Sequence, residues 1–249
     1  MTSSNPASHR RRNLTIVAVA ILVVLVAGGG YGLWYLFLRP AGPAAVSSES
    51  LVLPSAVASS PLAAGGLPGT WNVDTSIGSL SDSSDSFVGY RVQEQLANIG
   101  ANTAVGRTPN VTGSLTITGT QLTAATITAD LTALQSDDSH RDGQLVNQGI
   151  ETGTFPTATF TLTSPVDLGA DPTNGQEIDV TATGTLNLHG VTKTVQIPLK
   201  ARLAGSIIEV VGSLPIAFSD YGIQAPTSFA VLSVSDQGTM ELQLFFTHA

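Results

Sequence analysis

From Trp71 onward, apolar and polar residues alternate with a period of two. The run "SFVGYRV" puts Val88, Tyr90 and Val92 on one face, and "VTGSLTI" does the same with Val111, Gly113, Leu115 and Ile117. "IDVTATGTLNL" aligns Ile178, Val180, Ala182, Gly184, Leu186 and Leu188. "VQIPLKARL" aligns Val195, Ile197, Leu199, Ala201 and Leu203, and "MELQLFF" aligns Met240, Leu242, Leu244 and Phe246. The opposite faces carry Thr, Asn, Gln, Lys and Arg. Side chains alternate across a strand, so each run predicts a strand with one dry and one wet face. That is the antiparallel pattern; strands of a parallel sheet are apolar on both faces. About eight such runs are separated by turn stretches such as "TNGQ", "LHGVTK" and "SDQG", which predicts a barrel or sandwich. A barrel also removes the exposed edges that a Thr/Val-rich sheet would offer to aggregation. Only "SHRDGQLVNQ" reads as a helical turn or two.

The pattern is different upstream. Leu14 to Leu38 contains no charged residue. As a helix it would be about 37 Å long, enough to cross a hydrocarbon core of about 30 Å with some tilt. Tyr31, Trp34 and Tyr35 gather near its far end, as interfacial aromatics do. "HRRRN" precedes it, so the positive-inside rule places the N-terminus in the cytoplasm and everything after Arg39 outside. A cleaved signal peptide would have an apolar region of about 7–15 residues. The expected organisation is a basic cytoplasmic tail over residues 1–13, a single-pass transmembrane helix over 14–38, a flexible Pro/Gly/Ala/Ser tether over 39–69, and a β domain over 70–249.

Charge and chemistry narrow the function. Residues 70–249 carry 17 acidic and 6 basic residues, so nucleic acid is not an expected partner. With no cysteine, the chain has no disulfide, thiolate chemistry or Cys-type zinc site. His140-Arg141-Asp142 with Asn147 imitates a kinase catalytic loop, and Asp220-Tyr221-Gly222 imitates a magnesium-holding motif. Yet no Lys occurs before Lys193, and no glycine-rich phosphate loop precedes the His-Arg-Asp. Phosphoryl transfer depends almost wholly on positioning and charge neutralisation, so it is not expected here. His9 falls in the cytoplasmic tail and His248 is penultimate, which leaves His140 and His189, too few for a zinc site unless an Asp joins them, and no G-x-S-x-G elbow is present. Neither an enzyme nor a metal is expected.

Residues 70–247 resemble the YceI-like family of lipocalin-like extracytoplasmic domains associated with polyisoprenoid binding. The resemblance rests on "WNVDTSIGSL", "HRDGQLVNQGIETGTFPTATF", "GTLNLHGVTKTVQIPL" and "PIAFSDYGI". The Leu-x-x-His-Gly-Val-Thr-Lys hairpin around His189 is the most specific piece. Two positions depart from the family pattern. Ile150 and Phe155 stand where an aromatic pair is usual, and Ser219 precedes Asp220 where Arg is frequent. The resemblance implies an antiparallel lipocalin-like barrel of about eight strands with one short helical segment. It also implies binding of an isoprenoid lipid, with no other cofactor. Arg141-Asp142 is then expected to be a fold signature, a helix cap or an ion pair.

The apolar faces supply the candidate lining, because in a barrel they point inward. It comprises Val88, Tyr90, Leu115, Ile127, Phe160, Leu186, Leu188, Ile197, Leu199, Ile216 and Phe218. Small inner positions, Gly113, Ala182 and Gly184, are expected to leave room. Tyr90 could meet a head group through its hydroxyl while its ring packs on the chain. The expected partners are an isoprenoid or other long apolar lipid and the cytoplasmic membrane through residues 14–38. A homodimer is allowed but not required by anything in the sequence. The alternative is an envelope interaction module with a filled barrel that acts through its outer loops, motivated by the polar stretch "QEQLANIGANTAVGRTPN".

Overall fold

The computed structural model describes residues 23, 24, 26, 29, 30, 42–47, 66–97, 100–169, 175–226 and 231–249. The chain divides into two units, 1–41 and 42–249. In the first, Val23, Val24, Val26, Gly29 and Gly30 are helical. The rest of the expected membrane segment lies outside the described residues, and among those described no helix is long and apolar enough to cross a membrane.

In the second unit the described residues form twelve strands: β1 (Gly69–Val73), β2 (Phe87–Leu96), β3 (Gly100–Thr108), β4 (Val111–Thr118), β5 (Gln121–Asp130), β6 (Gln135–Ser136), β7 (Thr157–Leu162), β8 (Val166–Asp167), β9 (Glu177–Leu188), β10 (Val191–Ala204), β11 (Ile207–Ala217) and β12 (Val231–His248). One short helix, α1 (Ser139–Leu145), follows β6. The strands β1, β4, β5, β7, β9, β10, β11 and β12 follow one another around the sheet, and β12 pairs back onto β1. The result is a closed antiparallel barrel of eight staves. The extra strands arise because some staves are broken. β12 pairs with β1 through Phe246–His248 and with β2 through Val231–Gln243, so β1 and β2 occupy one edge in succession. β4 pairs with β1 and β3 with β2, so they share the next stave.

Local sequence explains the joints. Leu188 pairs with Val191 across the two-residue turn His189-Gly190, whose φ angles are 53° and 73°. Two successive positive φ values match the twist of a tight hairpin, and glycine takes such a value without cost. Asp138 caps α1 by accepting from the His140 amide at 2.9 Å. The polar stretch 96–108 is not a free loop, since most of it forms β3 against β2.

Residues 74–86 connect β1 to β2 across the outside of the barrel. They are held by Gln243, whose Nε2 donates to the carbonyls of Ser83 (3.0 Å) and Asp85 (2.8 Å). Ser86 Oγ donates to the Asp74 carbonyl at 2.8 Å and accepts from the Phe245 amide at 3.0 Å. Ile77 thereby covers Ile207, Val211 and Phe245 in a small core on the outer side of the wall. Residues 42–47, early in the expected tether, reach the same outer wall. The Arg91 guanidinium donates to the Pro43 carbonyl at 2.8 Å and that of Arg107 to the Ala44 carbonyl at 2.9 Å.

Candidate binding site in the barrel interior

Three cavities lie in a row inside the barrel. The middle one has a volume of about 110 Å³, and adjoining ones of about 70 Å³ and 80 Å³ share wall residues with it. Leu115, Leu122, Leu199 and Val210 separate the middle from the 70 Å³ chamber, where Leu67, Ile117, Leu168 and Leu203 also contribute. Val88, Ala158 and Met240 separate it from the 80 Å³ chamber, which Tyr90, Leu131, Leu134, Ile150 and Ile223 help enclose. For scale, an engineered apolar cavity of about 150 Å³ holds one benzene. On that scale the middle chamber approaches one five-carbon isoprene unit, and each of the other two holds a little over half of one.

All eleven residues singled out by alternation face these chambers. Val88, Leu115, Ile127, Phe160, Leu186, Ile197 and Leu199 line the middle one. Tyr90, Leu188, Ile216 and Phe218 line the 80 Å³ chamber, together with Val88. Met240, Leu242, Leu244 and Phe246 belong with them, and their period-two run already placed them on one face. Leu131, Leu134, Ile150 and Ile223 were not legible by that rule. They come from 3-10 turns and connections, where no period of two applies.

The expectation that small inner residues leave room is corrected at two of three positions. The Phe160 ring lies where a side chain on Gly184 would stand, and the Thr126 carbonyl closes on Gly113. These glycines let a ring and a neighbouring strand approach closely, so their space is already filled. Ala182 does border the middle chamber.

Tyr90 is one of the few polar residues in the lining, with Thr239, Gln176 and Arg202. Its ring packs over Gly106, its cross-strand partner, where a Cβ would collide with it. Its hydroxyl is buried with no hydrogen-bond partner. Burial pushes the phenol above its ordinary pKa, so it remains a neutral donor. Near it stands a charged group built on α1. Arg141 binds Glu94 at 2.7 Å and Asp137 at 2.7 Å, and donates to Ser136 Oγ at 3.3 Å. Asn102 donates to the same Glu94 oxygen at 2.7 Å, and Asp142 accepts from the Ser136 amide at 3.0 Å. Burial disfavours the Arg141 cation, but Glu94 and Asp137 outweigh it and hold the pKa above its ordinary value. Arg141 is thus an ion-pair anchor, and the helix cap is Asp138.

The kinase-like motifs have structural roles. The His140 side chain is 93% exposed. Asp220 pairs with Lys193 at 2.8 Å. His189 sits in its hairpin turn between the Tyr221 carbonyl and Glu151, each at 2.9 Å, with Phe155 against its ring. Among the described residues no group of His, Asp and Glu is placed to hold a metal ion.

The sequence profile of the YceI-like domain matches residues 72–246. The fold is similar to that of a polyisoprenoid binding domain from Saccharophagus degradans implicated in plant cell wall breakdown. The TM-score is 0.54 at 20% identity, covering 73% of this chain and 99% of that one. It is also similar to BcnA of Burkholderia cenocepacia, with a TM-score of 0.50 at 20% identity over 64% of this chain and 95% of that one. At such identity the likeness is one of fold. No curated protein matches the sequence.

Proposed function

This chain belongs to the YceI-like domain family, and on that premise we propose that its barrel binds the isoprenoid part of a lipid and carries or sequesters it without chemistry. The observation that carries this is the row of chambers along the barrel, whose lining is almost wholly apolar. A similar fold is described as a polyisoprenoid binding domain, which supports the same ligand class. Burying one isoprene unit contributes up to about 3–4 kcal/mol, at about 0.8 kcal/mol per CH₂. Ordering the chain offsets part of that gain. The chambers are narrow, so a longer chain displaces flexible side chains such as Met240. Residues 14–38 anchor the protein in the cytoplasmic membrane with the barrel outside, as their hydropathy and flanking arginines suggest.

The test is native mass spectrometry of the protein drawn gently from membranes, followed by uptake of added polyprenol or menaquinone. A co-purified apolar ligand is expected. A barrel that is always empty and takes up neither lipid overturns the proposal. A second reading is favoured by one observation: a cavity of about 740 Å³ on the outer face of β9–β11, beside Val46 and Ser47. On that reading the interior is only core, and an envelope partner binds outside. Replacing Thr181, in the wall of this outer cavity, by Arg would then abolish partner recovery while lipid uptake stays at the background level.

A further inference from the structure

The row of chambers has two ends, and they are closed in different ways. The 80 Å³ chamber ends under Leu131, Leu134, Ile150 and Ile223. That cover is tied into the backbone. The Leu131 amide donates to the Pro156 carbonyl at 2.8 Å and the Ile223 amide to the Phe218 carbonyl at 3.0 Å, and Gly149 bridges to Gln224. Arg141, paired with Glu94 and Asp137, adds directional bonds at the same end.

The 70 Å³ chamber lies where β5, β9 and β11 begin and β4 and β10 finish, among Leu122, Ile178, Ile208, Ile117 and Leu203. Leu67 reaches it from outside the sheet, two positions before β1. Gly66 and Gly69 flank the turn that brings it there, with φ angles of 72° and 139° that suit glycine. The Leu67 side chain is buried while its neighbour Pro68 is exposed. The Trp71 indole Nε1 donates to the Leu67 carbonyl at 2.9 Å. Among the described residues this is the hydrogen bond that holds Leu67. An end closed by one side chain and one such bond opens at lower cost than an end tied by several. The family profile begins to match at residue 72, so this closure lies outside the matched region.

We propose, building on the lipid-binding function above, that Leu67 is the removable stopper of the barrel. It moves aside to admit an apolar chain at this end and closes again over chains short enough to fit. Leu67 is then a specificity-determining residue for chain length. On the scale of one benzene in about 150 Å³, the three chambers together hold roughly two isoprene units. A longer chain keeps the stopper open, and the lost burial of Leu67 and the lost indole bond count against it.

The test uses the full chain in phosphatidylcholine nanodiscs, with empty nanodiscs as the blank. Labelled geraniol, farnesol and geranylgeraniol share one head and differ only in length, so the head cancels. Relative to the blank, the wild-type chain is expected to retain geraniol better than geranylgeraniol. Leu67→Ala should raise the ratio of geranylgeraniol to geraniol retention at least about fivefold, the lower range for relieving one overpacked side chain. It should also speed geraniol release. Trp71→Phe keeps a ring in place but removes the indole donor, and geraniol release should quicken by about twofold to tenfold, the range of one neutral hydrogen bond. Circular dichroism checks that the variants fold, and either folded variant decides. If Leu67→Ala leaves the length ratio and the release rate as in the wild type, or Trp71→Phe leaves release unchanged, Leu67 is not the stopper while lipid binding stands. A larger shift from Leu134→Ala, in the chamber at the other end, places the opening there and overturns the proposal in the same way. If no prenol is retained above the blank, the lipid-binding function itself fails and this inference with it.

Discussion

The two faces of β11 and β12 are both buried, yet they are closed in different ways. Ile208, Val210, Leu244 and Phe246 face the barrel interior, where the wall meets cavities. On the other face, Ile207, Val211 and Phe245 lie against Ile77 of the 74–86 connection, with Glu209 and Glu241 buried among the same strands. Those carboxylates are tied to Arg202, Arg91 and Arg107, and the Arg107 guanidinium lies 4.1 Å from the centre of the Phe87 ring. Geometry on the outer side is therefore fixed by directional bonds. Contacts on the inner side are non-directional and incompletely filled. On the proposed function the interior adapts to a ligand, and the buried ion pairs hold the wall around it.

The comparison breaks most visibly at Glu241. Replacing it by Ala strands two largely buried guanidinium groups, and loss of one partner of a buried pair costs about 3–5 kcal/mol. Urea unfolding of the two proteins checks this. A loss below 1 kcal/mol would mean that solvent reaches the outer network and the wall is not held by it.

Asp85 gives the next largest effect. Burial pushes its carboxyl up to about 6 from 3.8, against an opposing pull from Arg107, and Oδ1 has no partner. The folded state then holds the proton more tightly than the unfolded chain. The stability that this supplies is complete below about pH 4 and is lost as pH rises through about 6. Asp85→Asn is expected to gain about 1–3 kcal/mol at pH 7.5 and to flatten the profile between pH 4 and 6. A variant profile that still falls over that window assigns the titration to another group.

On the inner side, Leu188→Trp inserts a large ring beside a chamber of about 80 Å³. Lipid uptake should weaken at least tenfold while circular dichroism keeps the β signature, since overpacking costs about 1–3 kcal/mol and not the fold. Undiminished uptake would remove Leu188 from the binding path. The smallest effect belongs to His140→Ala. Its exposed side chain predicts less than about 0.5 kcal/mol and no change in uptake. A larger loss would revive a functional role for the His140-Arg141-Asp142 motif.

Much of the interior was legible because the period of two survives in the strands. Val88, Leu115, Leu186, Ile197 and their companions share a face by parity alone, and the register that pairs Leu199 with Gly212 and Leu242 with Val88 keeps that parity around the barrel. The bulges fall elsewhere, between Thr116 and Ile117 and within residues 231–238. Alternation fails where a strand is covered on both sides. "IIEVV" in β11 is buried throughout, and its apolar run, interrupted only by Glu209, was the available signal. Nothing local marks Glu94 as the partner of Arg141, 47 residues away, or Glu241 as the partner of Arg91, 150 residues away.

By itself the sequence determined the strands, their inward faces, the His189-Gly190 hairpin and the acidic, cysteine-free character of the domain. The first three follow from backbone geometry acting over two to four residues, and the last is composition. Only the tertiary structure decided that Phe160 fills the space over Gly184, that residues 42–47 meet Arg91 and Arg107, and that Tyr90 keeps a buried hydroxyl unpaired. Those outcomes depend on which strands close the barrel. Closure is a long-range choice, set by the packing and burial of the whole sheet at once.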